Sequence, residues 1–289
     1  MTFRPLDYSA ASHPGLMRDN NEDCFLSRPE HGLWLVADGM GGHEAGEVAS
    51  AIVRDTIEHA TQNNPHISLP DSIQRAHASI LSSAAQGIGA PGMGSTVVAL
   101  KNLSDNKYQV AWVGDSRAYL WTPTRDGGRL EQLSTDHSYV QMLVETGVIR
   151  PEDAESHPEK NIITQCLGMQ ELTQVRVDVV EHQWQKNQWI LLCSDGLTDE
   201  VSDKTIAHIL CESHDCLSAV DQLLHAALTS GGRDNITLQI IESPLHHNPA
   251  RKDFWQWVPH LTGKRTLDAW IFGATLTSLL GLLLYVIKF

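Results

Sequence analysis

Four short apolar runs in this chain each have an aspartate at one end, beside a glycine or asparagine, and that recurrence limits the folds open to it. Asp38-Gly39 follows Leu33-Trp34-Leu35-Val36-Ala37, and Asp195-Gly196 follows WILLCS at 189–194. Asp115 follows QVAWVG at 109–114, and Asp234-Asn235 lies between Ser230-Gly231-Gly232-Arg233 and the run ITLQII at 236–241. A single aspartate at a strand end is ordinarily a turn former or a helix cap. Four of them, each beside a very apolar strand, are harder to explain as turns. If the strands pack as sheets, their ends converge on one edge and gather carboxylates that repel each other unless cations neutralise them. Hard oxygen donors favour Mg²⁺ or Mn²⁺ over zinc, and no HExxH or Cys/His spacing offers a zinc site. In VADGMGGH (36–43) the glycines let backbone approach a ligand closely, freeing Asp38 to reach a metal with the Gly39 carbonyl beside it.

Strand-like runs recur at 33–36, 96–100, 108–113, 118–121, 175–180, 189–193 and 236–241. The pair within 108–121 is joined by Gly114-Asp115-Ser116-Arg117, a link short enough for a hairpin. Helical periodicity fills 44–60, 71–85 and 216–228, with Asp71 placed to cap the second. Regular β-α-β alternation is absent, so the pattern predicts an α+β fold of mostly antiparallel sheets covered by helices.

The formal charge of −14, from 35 acidic and 21 basic residues, argues against nucleic acid, whose binding rests on clustered Lys and Arg. Cysteines at 24, 166, 193, 211 and 216 form no framework and read as reduced thiols in a cytosolic protein. The N-terminal stretch is too polar for a signal peptide. From 269 to 287, AWIFGATLTSLLGLLLYVI runs 19 residues without a charge. As a helix it would span roughly 28 Å, close to a bilayer core, and it reads as a membrane anchor. Arg251, Lys252, Lys264 and Arg265 precede it and only Lys288 follows, which keeps the larger part cytoplasmic by the positive-inside rule. The expected organisation is a domain at 1–243, a juxtamembrane linker at 244–268 and a single-pass inner-membrane anchor at 269–289.

Several motifs in order carry a resemblance: RDNNED (18–23), VADGMGGH, GSTVVA (94–99), WVGDSRAYL (112–120), TDHS (135–138), LLCSDGLTD (191–199) and GGRDNIT (231–237). Over roughly 8–242 the chain resembles the bacterial branch of the PP2C-type (PPM) metal-dependent serine/threonine protein phosphatases. The resemblance implies a β-sandwich of two mainly antiparallel sheets flanked by helix pairs, with two Mn²⁺ or Mg²⁺ ions at one end. By position it implies that Asp38 bridges both ions and that Asp195 and Asp234 hold the first. The Gly39 carbonyl would serve the second, with Glu22 acting through water. Asp136 matches a residue that, with Asp195, holds a weaker third ion. Arg18 matches the arginine that grips the substrate phosphate, and 147–168 falls where the family has a mobile flap.

The implied chemistry is hydrolysis of phosphoserine and phosphothreonine in proteins by a metal-bridging hydroxide, opposing a Ser/Thr kinase at the membrane. A histidine or water must protonate the leaving alkoxide. His43 is the first choice; other branches carry that histidine directly after DG, where this chain has Met40, so His137 and water stay open. The remaining histidines read as surface or linker residues. Asp23 is expected to cap or hydrogen-bond locally, Asp115, Ser116 and Arg117 to brace the hairpin, Ser95 and Thr96 to pack, Asp199 to cap a helix, and Cys24 and Cys193 to fill the core. Two rivals stay open: a catalytically silent membrane adaptor on the same fold, and a phosphohydrolase of small phosphates, which needs a closed basic pocket.

Overall fold

A computed structural model describes residues 6–42, 45–104, 106–125, 127–154 and 156–245. Its elements run, in chain order, β1 (Tyr8–His13), β2 (Asp23–Arg28), β3 (Leu33–Met40), α1 (Ala45–Asn63), α2 (Leu69–Ala85), β4 (Gly94–Ser95), β5 (Val97–Ser104), β6 (Lys107–Val113), β7 (Arg117–Thr124) and β8 (Gly127–Gln132). There follow α3 (Tyr139–Glu145), α4 (Pro151–Ala154), β9 (Asp178–Gln183), β10 (Trp189–Cys193), α5 (Asp195–Thr198), α6 (Asp203–Glu212), α7 (Cys216–Ser230) and β11 (Ile236–Glu242).

Two sheets stack face to face. One has the order β1-β11-β10-β7-β8, the other β2-β3-β5-β6-β9 with β4 beside β3, and every pairing is antiparallel. The period-2 alternation of strand side chains sorts each strand's residues between two cores. In β3, Leu33, Leu35 and Ala37 turn outward onto α1 and α2, whereas Trp34 and Val36 turn inward onto the opposing sheet. In β10, Leu191 and Cys193 meet α6 and α7 while Ile190 and Leu192 enter the same inter-sheet core. Being apolar on both faces, these central strands read in sequence as continuous runs. Helix α1 answers β3 with a stripe of Ala49, Val53, Ile57 and Ala60. Gln239, fully buried between the sheets, donates to the Leu35 carbonyl (2.6 Å) and accepts from Ser27 Oγ (2.5 Å), a polar tie between the two layers.

Three expectations change. The 108–121 hairpin does not form: β6 and β7 lie in different sheets, and the Gly114–Arg117 link crosses from one layer to the other. The strand expected at 175–180 begins instead at Asp178. Helix α2 is capped by Ser68, whose Oγ accepts from the Asp71 amide and donates to the Asp71 carboxylate, so Asp71 sits in the first turn. Apart from Pro244 and Leu245, the expected linker and the expected anchor lie outside the described residues. Among the described residues no helix is long and apolar enough to cross a membrane.

Candidate active site

The strand ends expected to converge do so at one end of the sandwich. Asp38, near the end of β3, stands directly opposite Asp23 on β2. Its amide donates to Thr96 Oγ1 (3.1 Å) and its carbonyl accepts from the Thr96 amide (2.8 Å); Thr96 Oγ1 in turn pairs with Ser116 Oγ (2.7 Å). Thr96 therefore backs the site as its expected packing role implies, and Ser116, expected to brace a hairpin, supports Thr96 instead. Burial, then Asp23, Asp195, Asp115 and Asp234, hold the Asp38 carboxyl well above the usual carboxylate range. Asp195, at the first residue of α5, is pushed up to about 6 by burial and by Asp199 and Asp234, against a hydrogen bond shared with Asp38.

Asp23 is not the local cap expected from sequence. It is buried, Ser194 Oγ donates to its Oδ2 at 2.7 Å, and burial raises its pKa to about 7 despite hydrogen bonds from Ser194 and Thr237. Its Oδ1 is buried without a hydrogen-bond partner among the described residues. Asp115 also joins the cluster rather than bracing a hairpin: after burial, Asp195 is the main cause of its raised pKa. Asp115 is one of the four aspartates that the sequence sets beside apolar runs, whereas Asp23 heads a strand that no such run marks.

Glu22 is set by two glycines. It lies against the N-terminus of α1, where burial raises its carboxyl pKa although Arg18 and the Gly46 amide favour the charged form. A β-carbon on Gly46 would stand 2.6 Å from Glu22 Cδ, and one on Gly39 would stand 2.0 Å from the Gly46 carbonyl oxygen and 2.6 Å from that of Glu22. The glycine after Asp38 thus permits β3 and α1 to touch backbone to backbone. The two positions are expected to respond differently to alanine. Gly46→Ala displaces only a side-chain end and should weaken Mn²⁺ binding with little loss of melting temperature. Gly39→Ala meets backbone on two sides and should cost about 3 kcal/mol or more of stability. Metal titration and calorimetry on the two variants would separate these effects; equal melting temperatures would refute the close-packing role of Gly39.

Asp234 is held at the start of β11: the Asn235 amide donates to Oδ1 (2.8 Å) and Arg18 Nη2 to Oδ2 (2.7 Å). With side chains 55% and 41% exposed, the Arg18–Asp234 pair contributes only about 0–1 kcal/mol. The guanidinium is therefore only weakly committed to that partner. Asn235 organises the loop below, accepting from the Glu22 amide and donating to the Pro14 and Asn20 carbonyls.

Asp136 departs from its expected role. Arg117 Nε donates to both its oxygens (3.0 Å each), Nη2 adds a bond to Oδ2 (2.7 Å), and Gln132 takes Oδ1 at 3.1 Å. A carboxylate so engaged is a poor ligand, whereas Asp115, whose carboxyl is raised by burial and then by Asp195, has no such ion pair on both oxygens among the described residues. His137 is likewise committed: Nδ1 accepts from the Gly114 amide (3.1 Å), which leaves the proton on Nε2 directed at Asp178 Oδ2 (3.3 Å). His77, expected at the surface, is 1% exposed and ties α2 to the Gly168 amide and the Leu172 carbonyl. Cys193 fills the core, whereas Cys24 is half-buried and receives Arg54 Nη1 at 3.1 Å. His43 lies outside the described residues.

The flap segment is anchored at its base by the Thr164 amide to the His137 carbonyl and by paired bonds between Ser95 and Leu167. Lys160 Nζ (2.8 Å) and Asn161 Nδ2 (3.1 Å) reach down to Asp199, whose carboxylate is thus a bridge to the flap and not an N-terminal cap. Beneath the flap opens a cleft of about 320 Å³, lined by Asp115, Asp136, Asp195, Asp199, Arg117 and Lys160 among others. It is acidic, unlike the basic pocket that a small-phosphate hydrolase requires.

Among the described residues no three His, Cys, Asp or Glu side chains are already grouped closely enough to hold a metal ion. The donor set nevertheless suits a hard divalent cation. Carboxyls that raise one another's pKa, with a buried Oδ1 lacking a partner, are the groups that such a cation would satisfy.

Comparison with known proteins agrees with this geometry. The family model for Protein phosphatase 2C matches residues 17–230. Serine/threonine protein phosphatase PstP of Mycobacterium tuberculosis is 36% identical over 241 residues, covering 82% of this chain and 45% of that protein. The chain therefore spans about half the length of that relative. Serine/threonine phosphatase stp of Listeria monocytogenes is 36% identical over 242 residues, 80% of this chain and 93% of that protein. A crystal structure of the catalytic domain of PstP in complex with 2 manganese ions superposes with a TM-score of 0.71 at 34% identity, covering 82% of this chain and 97% of that one. The fold and the gathered acids match what that family model and those relatives describe. The chain belongs to the protein phosphatase 2C family.

Proposed function

We propose that this protein hydrolyses phosphoserine and phosphothreonine esters in proteins, with two Mn²⁺ or Mg²⁺ ions held by Asp38, the Gly39 carbonyl, Asp195, Asp234 and, through water, Glu22. The observation that carries the reading is the buried convergence of Asp23, Asp38 and Asp195, each carboxyl raised by burial and by neighbouring acids. Bound there, divalent ions supply hydroxide at neutral pH and offset charge on the phosphoryl oxygens.

The chain's own residues do the rest. Arg18 leaves its weak pair with Asp234 and grips the substrate phosphate with its planar fork, holding phosphorus in line for attack. His43 is assigned the proton for the leaving alkoxide on its place in the GGH segment, since both ring nitrogens of His137 are in use. Asp115 and Asp195, rather than Asp136, would hold any weaker third ion. The open acidic cleft favours a protein substrate over a small phosphate, and the complete acid set favours an enzyme over a silent adaptor.

The 269–289 segment tethers the domain to the inner membrane with its catalytic face in the cytoplasm, where it opposes a Ser/Thr kinase by raised effective concentration. Two measurements test these statements. Full-length protein should release phosphate from a phosphothreonine peptide in Mn²⁺ and not in EDTA, and Arg18→Ala should raise KM about tenfold or more. A folded, Mn²⁺-loaded chain without turnover would return the adaptor reading. The chain should also fractionate with membranes and lose that property when 269–289 is deleted; an unchanged distribution would remove the tether.

A further inference from the structure

One carboxylate ties the segment that starts at Asp195 to the segment that ends at Asp234. Glu200 stands five positions beyond Asp195, just past α5, and Arg233 immediately precedes Asp234. Glu200 Oε1 accepts from both the Arg233 amide (3.1 Å) and Arg233 Nε (2.8 Å), while Oε2 accepts from Nη2 (3.3 Å). A backbone and a side-chain donor of one residue thus meet one acid, which restrains the residue's orientation as well as its position. The Glu200 side chain is 3% exposed and that of Arg233 69%. The carboxylate lies under a thin cover made by the guanidinium and by Gly231, not deep in the protein. A β-carbon on Gly231 would stand 2.9 Å from Oε2, so the glycine keeps the space that the carboxylate occupies.

The other ties of this loop run elsewhere. The Leu16 amide donates to the Gly232 carbonyl (2.6 Å), and Asn235 Nδ2 donates to the Pro14 and Asn20 carbonyls (2.9 Å each). Both reach the segment before β2. Strands β10 and β11 pair as far as Cys193–Leu238, and Gly196 packs on the Asn235 carbonyl, which fixes the chain on the far side of Asp234. On the near side, the bonds to the α5 arm are those of Glu200. Ligands of one ion must be held at a set separation before it arrives, or the ion's binding energy is spent on ordering them.

We propose that Glu200 is a positioning residue that clamps Arg233, sets the separation of Asp195 and Asp234, and so raises the affinity of that site for a divalent cation. The proposal rests on the metal-centre reading above. Its test is Mn²⁺ binding to the full-length chain, followed by the electron-paramagnetic-resonance signal of free Mn²⁺, for the wild type, Glu200→Gln, Arg233→Met and the double variant. Each single change should weaken binding about tenfold, as loss of a group that orients a ligand typically does. The double variant should be no weaker than either single, because the two residues act as one unit. The activity lost at low Mn²⁺ should return as Mn²⁺ is raised.

A merely structural role would lower the melting temperature or the number of sites filled while leaving the dissociation constant in place, and that result overturns the clamp. So does a Glu200→Gln affinity within twofold of wild type. Should Glu200→Gln fail to fold, Arg233→Met decides alone, since it alters a side chain that is mostly exposed. A wild type that takes up no Mn²⁺ overturns the metal centre itself and the clamp with it.

Discussion

Asp38→Asn is expected to abolish Mn²⁺-dependent hydrolysis of a phosphothreonine peptide, by at least about 10³-fold, while raising the melting temperature of the metal-free protein. The two effects have one cause. Asp38 is a carboxyl whose pKa is raised first by burial and then by four neighbouring acids, so in the ionised state it is held among like charges in a poorly solvated place. Asparagine preserves the shape and removes the charge, relieving the repulsion along with the affinity for a cation. A gain of about 1–2 kcal/mol corresponds to roughly 2–8 °C for a domain of this size. Calorimetry in EDTA and a phosphate-release assay in Mn²⁺ measure the two halves. A melting temperature that stays level or falls would show that the carboxyls relax apart and store no repulsion.

What sequence reveals here follows burial on both faces. Strands β3, β10 and β11 stand out because helices cover one side and the second sheet the other, so nearly every residue is apolar. The edge strands β1 (YSAASH) and β8 (GGRLEQ) have no such run and were invisible to the same reasoning. So was β2 (DCFLSR), although it carries Asp23. The Gly114–Arg117 link shows a second limit. Two apolar runs joined by a short polar link describe a hairpin and a sheet-to-sheet crossing equally well, and only the partners of β6 and β7 distinguish them. The crossing is what brings Asp115 to the end of the sandwich. Within the site, Asp38, Asp195 and Asp234 were legible from their shared place at strand ends. Asp136, matched to an ion ligand by its motif alone, is engaged on both oxygens by Arg117, 19 residues away, a pairing that the motif does not reveal. The role of Gly39 was half legible: a need for closeness could be read, but the surface it approaches, α1 with Glu22, follows only from packing.

Stability should depend on pH in opposite directions with and without metal. Unfolded aspartates titrate near 3.9, whereas in the folded chain Asp23 is raised to about 7 and Asp195 to about 6. Between those limits the folded protein holds more protons than the unfolded one. The stabilisation associated with the protonated carboxyls is therefore complete below about pH 4 and is lost as pH rises through 6 and 7. In EDTA the melting temperature should fall between pH 5.5 and 8, by an amount on the order of 2 kcal/mol in stability from Asp23. Divalent ions bind the deprotonated ligands, so their affinity climbs over the same interval, and at a thousandfold excess over the dissociation constant they contribute about 4 kcal/mol. In saturating Mn²⁺ the slope should accordingly flatten or reverse. Asp23→Asn isolates the source: it should reduce the slope in EDTA, because the most strongly buried proton-binding group outside the expected ligand set is gone. Parallel curves in EDTA and Mn²⁺ would mean that the ions do not engage these carboxyls, and an undiminished slope in Asp23→Asn would assign the titration to another group.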